Sequence, residues 1–118
     1  MNAFEALGLN EQLVQAITDL GFETPTPIQE QAIPVLLSGT TDFVGLAQTG
    51  TGKTAAFGLP LLNLIIKEDR HPQALIVCPT RELCMQITRS CALYKTYQSC
   101  FYGSRLWWCI HHYADTQP

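Results

Sequence analysis

Residues 47–54 read Ala47-Gln48-Thr49-Gly50-Thr51-Gly52-Lys53-Thr54, an arrangement suited to holding a chain of phosphates. It follows the phosphate-loop pattern except that Ala47 stands at its first glycine. Gly50 and Gly52 permit positive φ and close backbone approach, so successive N–H groups can converge on phosphate oxygens. A helix starting just after the loop adds its positive N-terminal end. Lys53 can reach the β- and γ-phosphates, and the Thr54 hydroxyl can bind Mg²⁺. The plainer alternative is a Gly-rich turn joining a strand to a helix. A second cluster, Thr26-Pro27-Ile28-Gln29, precedes the loop. Gln29 carries an amide that can donate to adenine N7 while accepting from N6, a match guanine does not offer. Gln29 also stands where a capping-box residue would, so two roles compete for one amide.

These residues need elements to position them. Residues 43–47, Phe-Val-Gly-Leu-Ala, form a short buried-strand candidate before the loop. After it the pattern predicts a helix from Gly52 to about Lys67, with Ala56, Leu59, Leu62 and Ile66 on one face and Pro60 interrupting it. Thr26 caps a further helix, Pro27 takes its first position and Ser38-Gly39 ends it. Ile28, Ala32 and Leu36 share one face, and Pro34 predicts a kink or a restart. Asn10 caps an earlier helix with Leu13, Val14, Ile17 and Leu20 as apolar positions and Gly21 as its stop. Residues 69–73 read as a loop and residues 74–78 as a second buried strand. Thr80 then caps a helix with Leu83, Cys84 and Ile87 on one face. Strand, helix, strand, helix predicts an α/β fold with a parallel sheet and right-handed crossovers.

The segment Gly21-Phe22-Glu23-Thr24-Pro25-Thr26-Pro27-Ile28-Gln29, the phosphate loop and Pro79-Thr80-Arg81-Glu82-Leu83 together resemble the DEAD-box RNA helicases. The resemblance covers residues 4 to about 89. The first segment has the form of that family's Q motif, with an aromatic such as Phe4 upstream. Ala47 agrees with the family's variant of the phosphate loop. The resemblance implies a partial RecA-like sheet with flanking helices, ATP and Mg²⁺ as cofactors, and RNA as a partner. It implies that Gln29 reads adenine, Phe22 stacks on the base and Thr26 supports the contact, with Phe4, Gln48, Thr49, Gly50, Thr51, Gly52, Lys53 and Thr54 completing the nucleotide site. Pro79, Thr80 and Arg81 correspond to a motif that contacts the RNA backbone. On the residues alone, Phe22 also fits a hydrophobic staple, Arg81 an ion pair, Thr80 an N-cap and Glu82 a favourable first-turn charge.

Composition changes near residue 90. Phe4, Phe22, Phe43 and Phe57 are the aromatics of residues 1–89, whereas residues 90–118 hold Tyr94, Tyr97, Phe101, Tyr102, Trp107, Trp108 and Tyr113. Residues 1–89 therefore read as the N-terminal part of a first RecA-like domain, and residues 90–118 as an aberrant tail. The tail is explained by a shift of reading frame near residues 88–91. Trp107-Trp108 fixes the codons TGG-TGG, which one nucleotide downstream encode Gly-Gly, and the family carries Tyr-Gly-Gly here by resemblance. The alternatives are a divergent tail whose aromatics pack on the sheet, or base stacking by Trp107 and Trp108.

Charge and length bound the rest. The 118 residues carry a formal net charge of −3, so any RNA contact must be local rather than a bulk attraction. No apolar run reaches the roughly 18–20 residues of a membrane span. Glu5 stands where an export signal would be basic, and the odd count of five cysteines fits reduced thiols in the cytoplasm. The sequence contains neither Asp-Glu-Ala-Asp nor Ser-Ala-Thr, nor a second RecA-like domain. Because phosphoryl transfer depends on positioned charges, the expectation is nucleotide binding without turnover. Two strands leave apolar faces and edges unburied, which predicts a marginal, association-prone monomer. The competing expectations are a non-catalytic adenine-nucleotide-binding or interaction module and an inert truncation product.

Overall fold

A computed structural model describes residues 2–65 and 73–94. Among them are a 3₁₀ turn, Glu5–Leu7, and four α-helices: α1 (Glu11–Asp19), α2 (Pro27–Ser38), α3 (Lys53–Leu64) and α4 (Arg81–Tyr94). Each starts where local chemistry directs. The Asn10 side chain accepts from the Leu13 N–H at 2.9 Å, satisfying an otherwise orphaned first-turn donor of α1. Thr26 and Pro27 open α2, and the Gln29 Oε1 reaches back to accept from the Thr26 N–H at 3.0 Å, the N3-to-N-cap half of a capping box. At α4 the Leu83 N–H donates to the Thr80 hydroxyl at 3.3 Å.

The end of α1 sets up the site. Gly21 adopts φ +90°. Its N–H bonds to the Thr18 carbonyl and the Phe22 N–H bonds to the Ile17 carbonyl, both at 2.9 Å. This 6→1 and 5→2 pair is a Schellman turn, and it delivers Phe22 onto the core. Leu20, expected on the apolar face, is the C-cap of α1 and is exposed instead. The turn moves the chain away before Leu20 can face inward.

The core gathers Leu13, Val14 and Ile17 from α1, Ile33 from α2 and Leu59 and Leu62 from α3 around Phe4. Full burial of each such side chain is worth about 1.5–3 kcal/mol. The α2–α3 pair makes the most extensive contact, and α3 in turn packs on α4. A second, smaller cluster of Cys78, Cys84, Ile87 and Cys91 is covered by Phe57 of α3 and Ile76.

Three expectations need correcting. α2 is a single helix through Pro34, so the helix does not restart there. Pro34 and Glu30 are both exposed, so the Glu30 carbonyl that loses its i+4 donor is open to water. α3 spans Lys53–Leu64 with Ile65 as its C-cap, and Ile66 and Lys67 lie outside the described residues. Residues 43–47 and 74–78 form no strand among the described residues, so the parallel sheet drawn from the sequence is not present there. Val44 and Leu46 are 87% and 94% exposed and Gly45 between them is exposed too, so residues 43–47 are not the buried run expected; over residues 74–78, exposed Leu75 and Val77 alternate with the less exposed Ile76 and the buried Cys78. Alternation is a local property, but a strand also needs a ladder partner, and these two segments do not pair with each other. The expected loop at residues 69–73 falls outside the described residues except for Gln73, as does the tail beyond residue 94. α4 runs through the compositional break near residue 90 to Tyr94.

Candidate functional site: a glycine loop clamped by a glutamine

The loop between residues 47 and 54 owes its shape to two glycines. Gly50 and Gly52 take φ +79° and +80°, a left-handed conformation that costs side-chain-bearing residues roughly 1–2 kcal/mol. Gly52 is the N-cap of α3, so the loop ends on that helix's N-terminus, where N–H groups are free to meet an anion. The Thr51 hydroxyl donates to the Gln48 carbonyl at 2.6 Å, closing the turn. A Cβ at Gly50 would meet nothing within 4 Å, so the loop is open there. Lys53 is exposed and Thr54 half-buried at the first turn of α3. A nucleotide's phosphates fit this set: two positive-φ glycines, a helix N-terminus, an exposed ammonium and a hydroxyl.

The second half of the site is tied to the first. Gln29 is 1% exposed, and no charged or other polar residue is as deeply buried among the described residues. Its Oε1 accepts from Thr26 N at 3.0 Å while its Nε2 donates to the Gly52 carbonyl at 3.2 Å. The Thr26 hydroxyl donates to the Thr51 carbonyl at 2.8 Å. The start of α2 therefore grips the backbone of the phosphate loop at two consecutive carbonyls. A Cβ at Gly52 would run into Gln29 Nε2, so glycine is required there by φ and by space together.

The structure distributes the expected residues unevenly. Thr26, Gln29, Gln48, Thr51 and Gly52 meet in one hydrogen-bonded unit, with Thr49, Gly50, Lys53 and Thr54 on the same loop. Phe22 is half-buried and packs edge-on against Phe4, with ring centroids 6.2 Å apart and an interplanar angle of 64°. Phe4 is fully buried in the core. It packs against Phe22, the residue expected beside the base. Residues 79–81 are exposed at the start of α4, carried by a different helix from the clamp. Sequence reasoning missed an apolar recess of about 340 Å³ beside Lys53, lined by Ile28, Ala32, Leu36, Phe43, Ala56 and Phe57. The shared face of Ile28, Ala32 and Leu36 was its only sequence signal, and that face read as ordinary core.

With the clamp described, comparison with known proteins decides the family. A family model described as DEAD/DEAH box helicase matches residues 26–108. The chain belongs to the DEAD/DEAH box helicase family. It is 54% identical over 94 residues to the ATP-dependent RNA helicase DeaD of Haemophilus influenzae, covering 80% of this chain and 15% of that relative. It is 50% identical over 95 residues to the ATP-dependent RNA helicase CshA of Listeria monocytogenes, covering 80% of this chain and 18% of the relative. The chain thus spans less than a fifth of the length of these two helicases. Among solved structures, a DEAD box protein from Methanococcus jannaschii superposes with a TM-score of 0.79 at 32% identity, covering 97% of this chain and 32% of the other. Dbp5 of Saccharomyces cerevisiae, bound to RNA and ADP BeF3, superposes with a TM-score of 0.77 at 36% identity, covering 83% of this chain and 25% of Dbp5. The helices described here are therefore arranged as in DEAD-box RecA-like domains. Among the described residues, no helix is long and apolar enough to cross a membrane.

Proposed function

We propose that this chain is the adenine-nucleotide-binding portion of an ATP-dependent RNA helicase and binds ATP without turning it over. The observation that carries this reading is the Gln29 amide, buried and bridging Thr26 to Gly52. An amide has two acceptor lone pairs and two donor hydrogens, so each atom retains capacity after its one observed bond. The remaining acceptor and donor suit the N6 amine and N7 of adenine. Phe22 would lie against the base. Residues 48–54 would take the phosphates, with Lys53 on the β and γ groups. The Thr54 hydroxyl would help hold Mg²⁺, which would neutralise charge on the phosphates.

The whole-length relatives would couple such binding to hydrolysis and RNA duplex opening. Residues 1–118 contain neither Asp-Glu-Ala-Asp nor Ser-Ala-Thr, whose charges would order the metal and the attacking water, so these residues by themselves are expected to bind without turnover. Residues 79–81 are proposed RNA-backbone contacts, weak in this chain because they form only one part of a clamp. We assign residues 1–89 to the RecA-like portion, with residues 43–47 and 74–78 as strands of its parallel sheet once partners are present, and residues 90–118 to an out-of-frame tail, a boundary against which the family match running to residue 108 counts. Exposed Val44, Leu46, Leu75 and Val77 favour self-association through that unpaired surface. A reducing, cytoplasmic compartment fits the cysteine content.

Calorimetric titration of the chain with ATP and with GTP tests the reading. Saturable ATP binding, weaker GTP binding and no RNA-stimulated phosphate release are expected. Equal binding of ATP and GTP would overturn the adenine assignment, and sustained hydrolysis would overturn the loss of turnover.

A further inference from the structure

Three of the five cysteines, Cys78, Cys84 and Cys91, are buried and, with Ile87, make up the second core cluster under Phe57 and Ile76. All three are present as thiols. They belong neither to the phosphate loop nor to the Gln29 clamp. Cys78 immediately precedes residues 79–81 and Cys84 lies in the first turns of α4, so the pair brackets the turn that presents Thr80 and Arg81.

Helix geometry decides which pair can join. Cys84 and Cys91 are seven residues apart on α4, and at 1.5 Å per residue their Cα atoms are roughly 10 Å apart. A disulfide tolerates no more than about 7 Å, so these two cannot bridge while α4 is intact. Cys78 is free of that constraint. It sits outside the helix and shares one buried cluster with Cys84. We propose that Cys78 and Cys84 are an oxidation site, forming an intramolecular disulfide whose ring encloses residues 79–81. The oxidant is a low-molecular-weight disulfide such as glutathione disulfide. One cysteine thiolate attacks it, forming a protein–glutathione disulfide and releasing glutathione thiolate. The second cysteine, after losing its proton, attacks the protein sulfur of that mixed disulfide and releases the second glutathione. The protein loses two protons and two electrons, and the oxidant becomes two thiols. The Cys84 thiol is pushed up by burial, then by charge repulsion from and a hydrogen bond with the Cys78 thiol, so attack by Cys84 is slow. In a reducing compartment the bond would be transient. It would fix the start of α4, and with it the turn proposed above to meet RNA. The disulfide itself does not depend on that RNA reading.

Trypsin provides a direct readout, because Arg81 lies between the two cysteines. After glutathione disulfide treatment of the folded full chain, non-reducing digestion should yield residues 71–81 covalently joined to residues 82–89. The same treatment in guanidinium supplies the reference, where loops of similar length make the 78–84 and 84–91 links comparable. The ratio of the 78–84 to the 84–91 link is expected to be about tenfold or more higher in the folded chain, as the helix spacing requires. A dominant link to Cys91, Cys100 or Cys109, glutathione adducts without any link, or an unchanged ratio would overturn the proposal.

Discussion

Replacing Gln29 with Glu tests whether one amide couples the adenine and phosphate halves of the site. The substitution keeps side-chain length, and one carboxylate oxygen can still accept from the Thr26 N–H now held at 3.0 Å. The other end changes sign. A donor to the Gly52 carbonyl at 3.2 Å becomes an acceptor facing an acceptor, at a position 1% exposed. A buried carbonyl that loses its partner costs about 1–3 kcal/mol. The N-termini of α2 and α3 offset about 0.3–1 kcal/mol of this by favouring negative charge. The net loss of about 1–2 kcal/mol should lower Tm by several degrees, since each kcal/mol moves Tm by roughly 4–8 °C in a domain of 60–100 residues. Nucleotide binding should suffer more. Adenine N7 then faces an acceptor, and the carboxylate stands beside the phosphate loop, so ATP affinity should fall about ten- to a hundredfold, or roughly 1.4–2.8 kcal/mol. The pH response separates this cause from simple misfolding. Burial raises a carboxyl pKa, so lowering the pH protonates the introduced carboxyl and regenerates a donor. A protonated carboxyl supplies one donor hydrogen where the amide has two, so affinity should recover in part in Gln29→Glu but show no such rise in the unaltered chain. Calorimetric titrations with ATP and GTP across pH measure this, with thermal melts alongside. Unchanged ATP affinity and unchanged preference over GTP would refute the coupling.

Further outcomes follow from the same geometry. Gly52→Ala should destabilise by about 1–2 kcal/mol through its φ of +80°, with an added clash against Gln29 Nε2. Gly50→Ala should carry only the backbone cost because its Cβ meets open space, and equal Tm losses in the two would contradict the clamp. Cys84 keeps its proton in the folded chain over a range where the unfolded chain loses it, because its pKa is raised. Stability from this residue is therefore complete below the ordinary thiol pKa of about 8.5 and falls as pH rises through the folded-state value. Cys84→Ala should flatten that alkaline slope in denaturant titrations, and an unaltered slope would refute the assignment. Leu46→Lys, at a site 94% exposed, should leave stability within about 0.5 kcal/mol yet shift sedimentation toward monomer. A concentration dependence identical to that of the unaltered chain would show that this surface does not drive association.

What the sequence disclosed here is what short-range chemistry decides. Asn10, Thr26 and Gly21 each determine a helix end through hydrogen bonds within a few residues, and the spacing of Gly50, Gly52 and Lys53 already implied a loop that takes positive φ and opens onto a helix. Features dependent on distant partners were harder to read. Residues 43–47 and 74–78 are apolar runs that read as buried strands, but ladder pairing depends on segments elsewhere, so the runs were legible and the sheet was not. Leu20 matched its helix period yet lost its inward place to the Schellman turn that installs Phe22.

Under the proposed function, Gln29 turns an apparent conflict in sequence into a mechanism. Cap and adenine reader looked like rival uses of one amide. The structure commits one lone pair to Thr26 and one hydrogen to Gly52, leaving the second of each. Capping therefore does not exclude base recognition: it aims the amide, and the bond to Gly52 carries any movement of that amide into the phosphate loop. If the base pulled Gln29 away from Gly52, the loop would loosen as adenine bound and phosphate affinity would fall. If both bonds persist, adenine and phosphate binding reinforce one another. The relative affinities of adenosine, inorganic triphosphate and ATP distinguish these cases, because only an intact clamp makes ATP binding tighter than the two parts predict.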